Sequence, residues 1–408
     1  MDDKERILEE ILLEFGSNSA KPEPKPERKL PAAIGGSAPV KKEKTVKQKK
    51  SKPEKKNLSA GKRLLRFAGR TGLILLETAL LLVVTLYGVM YVLAKGPSPT
   101  ARDLFVRSVR ETSAMGFLAN IYFTDEEIAL MESAQQVEEY QETDTSLITI
   151  AKPDEKTESD GPVADAWGLV DEDGDGIILE EVKGEGYSGY MMVVLDPSRV
   201  ILGSVPKSYG GQGYTVEQMV KKFDAVAGTN AGGFYDPNGG GNGSIPDTLV
   251  VFEGQIYYES SGVNDGFVGI DKNHILHTGI LSSKEIRERE IQYGVCFGPV
   301  LIANGEVALA ENNVGGLNPR TAIGQRSDGA ILMLVIDGRQ VSSIGATYRD
   351  LVDIFLEYGA VNACNLDGGS SSMMWYGDGY VNNCASVIGI RPVPTAFVVL
   401  KEGVDDHE

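Results

Sequence analysis

The longest apolar run in the chain covers residues 73–94, where polar side chains are few and include Glu77, Thr78 and Thr85. An α-helix rises 1.5 Å per residue, so a run of about 22 residues reaches about 33 Å. The hydrocarbon core of a bilayer is about 30 Å thick. The pattern therefore predicts a transmembrane helix over residues 73–94.

The charges that flank this run predict its orientation. Lys62, Arg63, Arg66 and Arg70 precede it, whereas Lys95 stands almost alone after it. The positive-inside rule then places the N-terminus in the cytoplasm and the C-terminal part outside the cell, in a single-pass cell-membrane protein. The basic residues also predict contact with anionic membrane lipid. A cleaved signal peptide is the alternative, but the run begins about 70 residues into the chain and is long for such a segment.

Two segments precede the transmembrane helix. Residues 1–16 form a short amphipathic helix by pattern, with apolar side chains at helical spacing: Ile7, Leu8, Ile11, Leu12 and Phe15. A cytoplasmic protein partner would cover this stripe; the alternative is a frayed helix without a role, since such short helices are marginal in water. Residues 17–62 are rich in Lys, Pro, Glu and Ser and predict a disordered basic linker.

Two further segments follow it. Residues 97–131 place apolar residues such as Leu104, Val109 and Phe117 among polar ones, which predicts a helical stalk, and Thr124 with Glu127 is typical of a capping box. Residues 132–162 are polar and acidic, and predict a flexible linker that holds the next domain away from the membrane.

Residues 163–403 alternate short apolar strands with turn residues, which predicts a folded domain. Helices are expected at residues 216–223 and 348–358, each with a capping residue. Each is followed by an Ala-Val strand and then by a loop with Asn and two Gly, so we expect the two loops to lie side by side at one end of a sheet. The expected fold is α+β, with a β-rich, mixed-sheet core and a few helices.

Charge is distributed unevenly along the chain. The net charge is −18, but residues 1–70 carry +9, so residues 71–408 carry −27. A strongly acidic domain excludes nucleic acid as its ligand, because phosphate backbones require a basic surface. Three cysteines, Cys296, Cys364 and Cys384, are too few for a disulfide framework and do not decide the compartment.

Polar loops follow several of the predicted strands. The sequence NLDGGSSS at residues 365–372 follows an apolar run, GTNAGGFYD at residues 228–236 follows another, and NPRTAIG at residues 318–324 leads to a strand that ends in Asp337, Gly338 and Arg339. Carboxylates, hydroxyls and glycines at strand ends let the backbone approach a ligand closely. Each stretch taken alone also fits an ordinary polar turn.

Together with FGP at residues 297–299 and RPVP at residues 391–394, these stretches resemble the phosphodiester glycosidase family over about residues 187–400. The resemblance implies cleavage of an alpha-linked N-acetylglucosamine, or a similar sugar, from a phosphodiester. Two positions depart from the family pattern. Ser370 stands where the family usually has a third Gly, and Cys384 stands where Pro is common.

The candidate catalytic residues are carboxylates and an arginine. His274 and His277 lie in a strand-turn stretch and His407 in the tail, so a histidine triad or a zinc site is poorly supported. Glycoside cleavage requires carboxyl groups, and a phosphodiester suits an Arg clamp. Asp367 and Asp337 are the first candidates, Asp236 is the third, and Arg320 is the candidate clamp. All four side chains also fit structural roles in local turns or ion pairs.

Further side chains are candidates for substrate binding. Asn230 would hydrogen-bond the sugar and Trp375 would stack on it, while backbone and hydroxyl groups would hold the anion: Gly232, Gly233, Thr321, Gly368, Gly369, Ser370 and Ser371. The expected substrate is a carbohydrate or glycan phosphodiester, such as sugar-decorated teichoic acid or exopolysaccharide of the cell envelope. The alternatives are a non-catalytic envelope polysaccharide-binding protein and a scaffold that acts through residues 3–15.

Residues 171–178 match the start of a calcium-binding loop, with Asp171, Asp173 and Asp175 at its first, third and fifth positions. The twelfth position is Val182, where such a loop requires Glu. We therefore favour a tight acidic turn over a calcium site, and we expect no cofactor.

Overall fold

The computed structural model describes residues 60–133, 142–150, 164–260, 266–310, 314–386 and 389–403. The amphipathic helix predicted at residues 1–16 and the basic linker predicted at residues 17–62, except its last three residues, lie outside this part of the chain. Leu73–Glu408 forms one compact unit.

Helix α1, Ala60–Lys95, contains the predicted transmembrane segment. Residues Leu64–Lys95 are long and apolar enough to cross a membrane. Large apolar side chains from Leu73 to Val92 are exposed. A helix that is apolar on all sides and unburied by protein is suited to a lipid environment.

Three short helices follow: α2, Pro99–Arg110; α3, Phe117–Asn120; and α4, Asp125–Ser133. Ser98 caps α2 by accepting a hydrogen bond from the Ala101 N–H. The predicted capping box at α4 is confirmed, since Thr124 Oγ1 accepts from the Glu127 N–H and the Glu127 carboxylate accepts from the Thr124 N–H. These helices and the end of α1 share a small apolar core: Ala94, Val106, Ala119, Phe123 and Ile128.

The domain has three helices among its described residues: α5, Val216–Lys222; α6, Ser283–Glu288; and α7, Tyr348–Glu357. Each begins with a capping box, from Thr215, Ser282 and Thr347 respectively. Helices α5 and α7 were predicted from these caps and from the apolar spacing that follows. Helix α6 was not predicted, because its six residues are too short to show a period.

Seventeen strands are described: β1, Ile177–Gly184; β2, Tyr187–Val194; β3, Val200–Ser204; β4, Ala225–Asn230; β5, Leu249–Phe252; β6, Gln255–Glu259; β7, Phe267–Asp271; β8, Leu276–Gly279; β9, Ile291–Cys296; β10, Val300–Ala303; β11, Glu306–Val307; β12, Arg320–Arg326; β13, Ile331–Ile336; β14, Ala360–Leu366; β15, Met374–Tyr376; β16, Gly379–Tyr380; and β17, Thr395–Leu400. They form a seven-stranded sheet, β1-β2-β13-β12-β14-β10-β11, and two five-stranded sheets, β16-β15-β4-β17-β3 and β6-β5-β9-β7-β8. The α+β class with a β-rich core is confirmed. The strand pairs described are antiparallel, so these sheets are not mixed.

The seven-stranded sheet is covered on both faces. Leu332 and Leu334 of β13 face α7, in one core with Phe355, while Met333 and Val335 face the second sheet in another core. Successive residues of a strand point to opposite faces, so a continuous apolar strand requires cover on both sides. This explains why β13 is apolar at every position.

The two Asn and Gly-Gly loops adjoin, but they come from different sheets. Strand β4 belongs to the second sheet and β14 to the first. Their ends are joined by hydrogen bonds from the Asp367 N–H to Ala231 O (2.9 Å) and from Asn230 Nδ2 to Asp367 O (2.6 Å). The loops therefore meet at the junction of two sheets, and not at one end of a single sheet as expected.

Candidate active site

A cavity of about 820 Å³ opens where the loops after β4 and β14 meet. Its charged and aromatic lining consists of Glu111, Asp236, Asp247, Asp367, Arg320, Arg339, Arg391, Phe234, Phe297 and Tyr348. Of the predicted catalytic residues, Asp367, Asp236 and Arg320 line this cavity. Among the residues predicted to bind substrate, Gly233, Gly368, Gly369, Ser370 and Ser371 also line it.

Asp367 follows the last residue of β14, and its backbone is held on both sides by the hydrogen bonds to Ala231 and Asn230. Burial raises the pKa of the Asp367 carboxyl to about 7. The Ser371 hydroxyl and the charge of Arg391 lower this pKa in part, whereas the negative charges of Asp236 and Asp247 raise it further. The Asp367 carboxyl consequently keeps its proton to a much higher pH than an ordinary aspartic acid does.

The surroundings of Asp236 lower the pKa of its carboxyl, whereas those of Asp367 raise it. Burial alone would raise its pKa, but hydrogen bonds from Arg391 and from the Gly241 N–H outweigh burial and lower the pKa overall. The two terminal nitrogens of the Arg391 guanidinium, Nη2 and Nη1, donate to the two carboxylate oxygens of Asp236, at 2.7 and 2.9 Å. Such a two-point pairing is the strongest form of this contact. Asp236 therefore stays ionised while Asp367 holds a proton, and pairs of carboxyl groups with pKa values separated in this way divide acid and base roles between them.

Arg320 does not have the free guanidinium expected of a phosphate clamp. Its side chain is 5% exposed, and it donates to Glu111 at 2.7 Å, to Ala346 O at 3.1 Å and to Gly316 O at 2.5 Å. It also lies 4.2 Å from the ring centre of Tyr348. Since these partners occupy the guanidinium, Arg320 holds the cavity wall together.

Arg339 is the cation that faces the cavity without an acid partner among the residues the structure describes. It donates to Thr112 Oγ1 at 2.7 Å and to Asn318 Oδ1 at 3.0 Å. Burial and the nearby charge of Arg320 lower the pKa of Arg339, and the negative charge of Glu111 offsets this in part without forming a salt bridge to it. A partly desolvated guanidinium beside neutral acceptors is suited to bind an anion.

Two predicted residues lie outside the cavity lining. The Asp337 carboxylate accepts hydrogen bonds from Asn382 Nδ2 and from the N–H and Nδ2 of Asn383, so it fixes the turn after β13, and its catalytic role stays a prediction. Trp375 packs in the core against Tyr380, with ring centres 4.9 Å apart, and its sugar-stacking role stays a prediction.

Three further residues predicted to bind substrate lie outside the lining of the cavity and hydrogen-bond the loops that form it: Asn230, Gly232 and Thr321. Asn230 is fully buried, and its Oδ1 accepts from the Thr321 hydroxyl at 2.9 Å and the Met373 N–H at 3.1 Å. The Gly232 N–H donates to Thr395 Oγ1. These groups position the loops and do not reach the cavity.

Two of the predicted glycines matter because they lack a side chain, more than because their backbone N–H groups could donate to an anion. A Cβ at Gly233 would lie 2.9 Å from the Phe297 ring, and Gly369 has a φ of 63°. The Gly369 N–H donates to Pro319 O, so it is not available to an anion.

Sequence analysis missed Asp247, Arg339, Arg391 and Glu111 as lining residues. Arg391 and Arg339 stand in motifs that were noticed, Arg391 before Pro392 and Arg339 after Gly338, and their positive charge was the available signal. Asp247 and Glu111 stand in no motif, and Glu111 meets Arg320 across a separation of 209 residues.

The acidic loop before β1 lies apart from the cavity. The side-chain oxygens of Asp171, Asp173 and Asp175 lie within 4.8 Å of one another. Asp171 accepts hydrogen bonds from the N–H groups of Gly174 and Gly176, and Asp175 accepts from that of Ile177. These contacts are those of a tight acidic turn.

Comparison with known families matches residues 223–400 to the family described as Phosphodiester glycosidase. The uncharacterized SPbeta prophage-derived protein YomE of Bacillus subtilis is 31% identical over 219 residues, which cover 50% of this chain and 31% of that protein. Human N-acetylglucosamine-1-phosphodiester alpha-N-acetylglucosaminidase is 28% identical over 219 residues, covering 48% of this chain and 41% of that protein. The chain thus spans less than half the length of these relatives.

Among solved structures, the chain is similar to the catalytic domain of zebrafish N-acetylglucosamine-1-phosphodiester alpha-N-acetylglucosaminidase, auto-inhibited by its pro-peptide. The TM-score is 0.47 and the identity 20%, over 55% of this chain and 82% of that one.

Proposed function

We propose that the cavity hydrolyses a sugar 1-phosphodiester in which the sugar is alpha-linked N-acetylglucosamine, since residues 223–400 match the family described as Phosphodiester glycosidase. The observation that carries this proposal is the pair of carboxyl groups with opposite pKa shifts, Asp367 and Asp236, in one cavity with Arg339.

Each of these side chains has a role in the proposed reaction. The Arg339 guanidinium binds the phosphodiester anion. The Asp367 carboxyl donates its proton to the bridging oxygen as the bond between that oxygen and the anomeric carbon breaks. The ionised Asp236 stabilises the positive charge that develops on the sugar and assists the entry of water at the anomeric carbon. The products are the free sugar and a phosphate monoester, and the hydroxyl of water ends on the sugar.

The apolar helix α1 supports a cell-membrane location, with the N-terminus in the cytoplasm and the domain outside the cell. Residues 62–70 would contact anionic lipid, and the segment at residues 1–16 would bind a cytoplasmic protein. A glycan of the cell envelope, such as a teichoic acid or an exopolysaccharide, is then within reach as the substrate.

The test is release of N-acetylglucosamine from its alpha-1-phosphate methyl diester by the full chain in detergent. Asp367→Asn should reduce kcat/KM by about a thousandfold, because removing a catalytic acid or base costs a large share of the acceleration. Asp378→Asn is the matched control, since Asp378 is exposed in the turn between β15 and β16. Binding of the diester without turnover by the folded parent would support a carbohydrate-binding protein instead.

A further inference from the structure

The cavity is built in part by the segment that follows the apolar helix. Ser113, Ala114 and Met115 line it, and the preceding residue Thr112 binds Arg339. Glu111, the C-cap of α2, accepts hydrogen bonds from Arg320, from Asn318 and from the Gly316 N–H. This segment is therefore fixed to the domain by several hydrogen bonds.

The same segment then runs back along the end of α1. The Tyr122 hydroxyl donates to the backbone oxygen of Tyr87 at 3.1 Å, and the two rings lie 5.6 Å apart. Tyr91 lies 6.4 Å from Tyr122, and Lys95 stands over Phe123 at 4.2 Å. Tyr87 precedes the end of the apolar run by seven residues, which is about 10 Å of helix. Tyr122 therefore lies beside the last two turns of α1, within about 10 Å of the end of the apolar run.

The residues between the cavity and Tyr122 expose large apolar side chains. Met115 is 47% exposed, Phe117 is 65% exposed and Ile121 is 50% exposed. Residues 115–122, here called the return segment, join the apolar surface of α1 to the cavity. Met115 is two residues from Phe117, which is about 7 Å of chain at most.

The net charge of the domain indicates that the return segment would contact a bilayer through apolar side chains and not through electrostatic attraction. Residues 71–408 carry a net charge of −27, so an anionic bilayer does not attract the domain as a whole. Exposed aromatic and aliphatic side chains next to a spanning helix are instead stabilised by insertion at the interface.

We infer that the return segment rests on the bilayer and that the cavity takes a sugar phosphodiester whose other ester is a lipid, held in the same leaflet as α1. This inference rests on the proposed function and narrows its substrate class. With the sugar in the cavity and the phosphate on Arg339, the lipid chain passes over Met115 and Phe117 into the membrane. The lipid phosphate monoester that forms stays in the bilayer.

The test uses the full chain in vesicles that contain N-acetylglucosamine alpha-1-phosphate esterified to a long-chain alcohol, with the short methyl diester as the comparison substrate. In the double variant Phe117→Asp, Ile121→Asp we expect kcat/KM for the long-chain diester to fall about tenfold or more. Turnover of the methyl diester should change less than twofold. Helix α1 anchors both the parent and the variant in the vesicle, so both meet the long-chain substrate at the same local concentration. A difference between their rates therefore does not arise from anchoring.

Leu356→Asp is the matched control, since Leu356 is 42% exposed on α7 and lies outside the return segment. It should change neither rate. Equal loss on both substrates in the double variant, or turnover of a soluble glycan phosphodiester as fast as that of the long-chain diester, would overturn the inference and leave the proposed function standing. Turnover of neither diester by the folded parent would overturn both.

Discussion

Asp367 illustrates how a single residue links stability and activity in this cavity. Burial raises the pKa of its carboxyl to about 7, above the ordinary value of 3.8 that the unfolded chain would have. Well below pH 3.8 the carboxyl is protonated in both the folded and the unfolded state and does not change the free energy of unfolding. As the pH rises towards 7, the unfolded chain releases the proton and the folded chain keeps it, so the free energy of unfolding falls.

Asp367→Asn should therefore stabilise the protein at pH 8 and have little effect at pH 4. A shift of about 3 pKa units corresponds to at most about 4 kcal/mol, and the real gain is expected to be smaller because the side chain is only partly enclosed. Urea denaturation at the two pH values measures the difference. A variant that is less stable than the parent at pH 8 would show that the carboxylate is not destabilised by its surroundings.

Arg339 provides a second residue-level prediction. Arg339→Met should lower kcat/KM for the phosphodiester about a hundredfold, because a hydrogen bond to a charged group contributes about 1.5–3 kcal/mol. Arg339→Lys should recover part of this loss. The control substrate is p-nitrophenyl alpha-N-acetylglucosaminide, whose aglycone is uncharged, and its turnover should change little. Equal losses on both substrates would assign Arg339 a structural role.

Helix α2 is the element whose role differs most from expectation. The pattern of residues 97–131 predicted a stalk, and residues 132–162 were expected to hold the domain away from the membrane. In the structure Glu111 of this region is paired with the buried Arg320, and Thr143 and Asp144 contact Thr278 and Asn304. Glu111, Thr143 and Asp144 therefore contact the domain, whereas residues 134–141 and 151–162 of the expected linker lie outside the part of the chain that the structure describes.

Glu111→Ala should destabilise the protein by about 3 kcal/mol, because it leaves the Arg320 guanidinium buried without its acid. The matched change is Glu217→Ala, which breaks an exposed pair with Lys221 and should cost less than about 1 kcal/mol. Chemical denaturation of both variants provides the comparison. A similar loss of free energy of unfolding in the two variants would mean that, without Glu111, the Arg320 guanidinium forms a hydrogen bond with another residue or with water.

Local features of the sequence were sufficient to predict several helices and strands and part of the candidate site. Capping residues predicted α5 and α7, and the apolar run before Asp367 predicted β14 and the carboxylate at its end. The surroundings of Asp337 and Trp375 could not be predicted, because they depend on Asn383 and on strand pairing, neither of which leaves a local pattern. The pairing of Glu111 with Arg320 joins distant parts of the chain, so no periodicity or motif reveals it.

At the scale of the whole molecule, the candidate active site extends beyond the family match. The match begins at residue 223, yet residues 111–115 line the cavity. A fragment of residues 163–408 should thus lose at least tenfold in kcat/KM for the methyl diester and melt at a lower temperature than residues 97–408. Equal activity of the two fragments would show that the N-terminal segment is dispensable for the chemistry.

The central claim is that the bond between the anomeric carbon and the phosphate oxygen breaks in this cavity. Hydrolysis of the N-acetylglucosamine alpha-1-phosphate methyl diester in water enriched in oxygen-18, followed at once by mass spectrometry of both products, tests it most directly. The account predicts that the label enters the sugar and that the phosphate monoester carries none. Label in the phosphate would mean attack at phosphorus, and would contradict the roles assigned to Asp367 and Asp236.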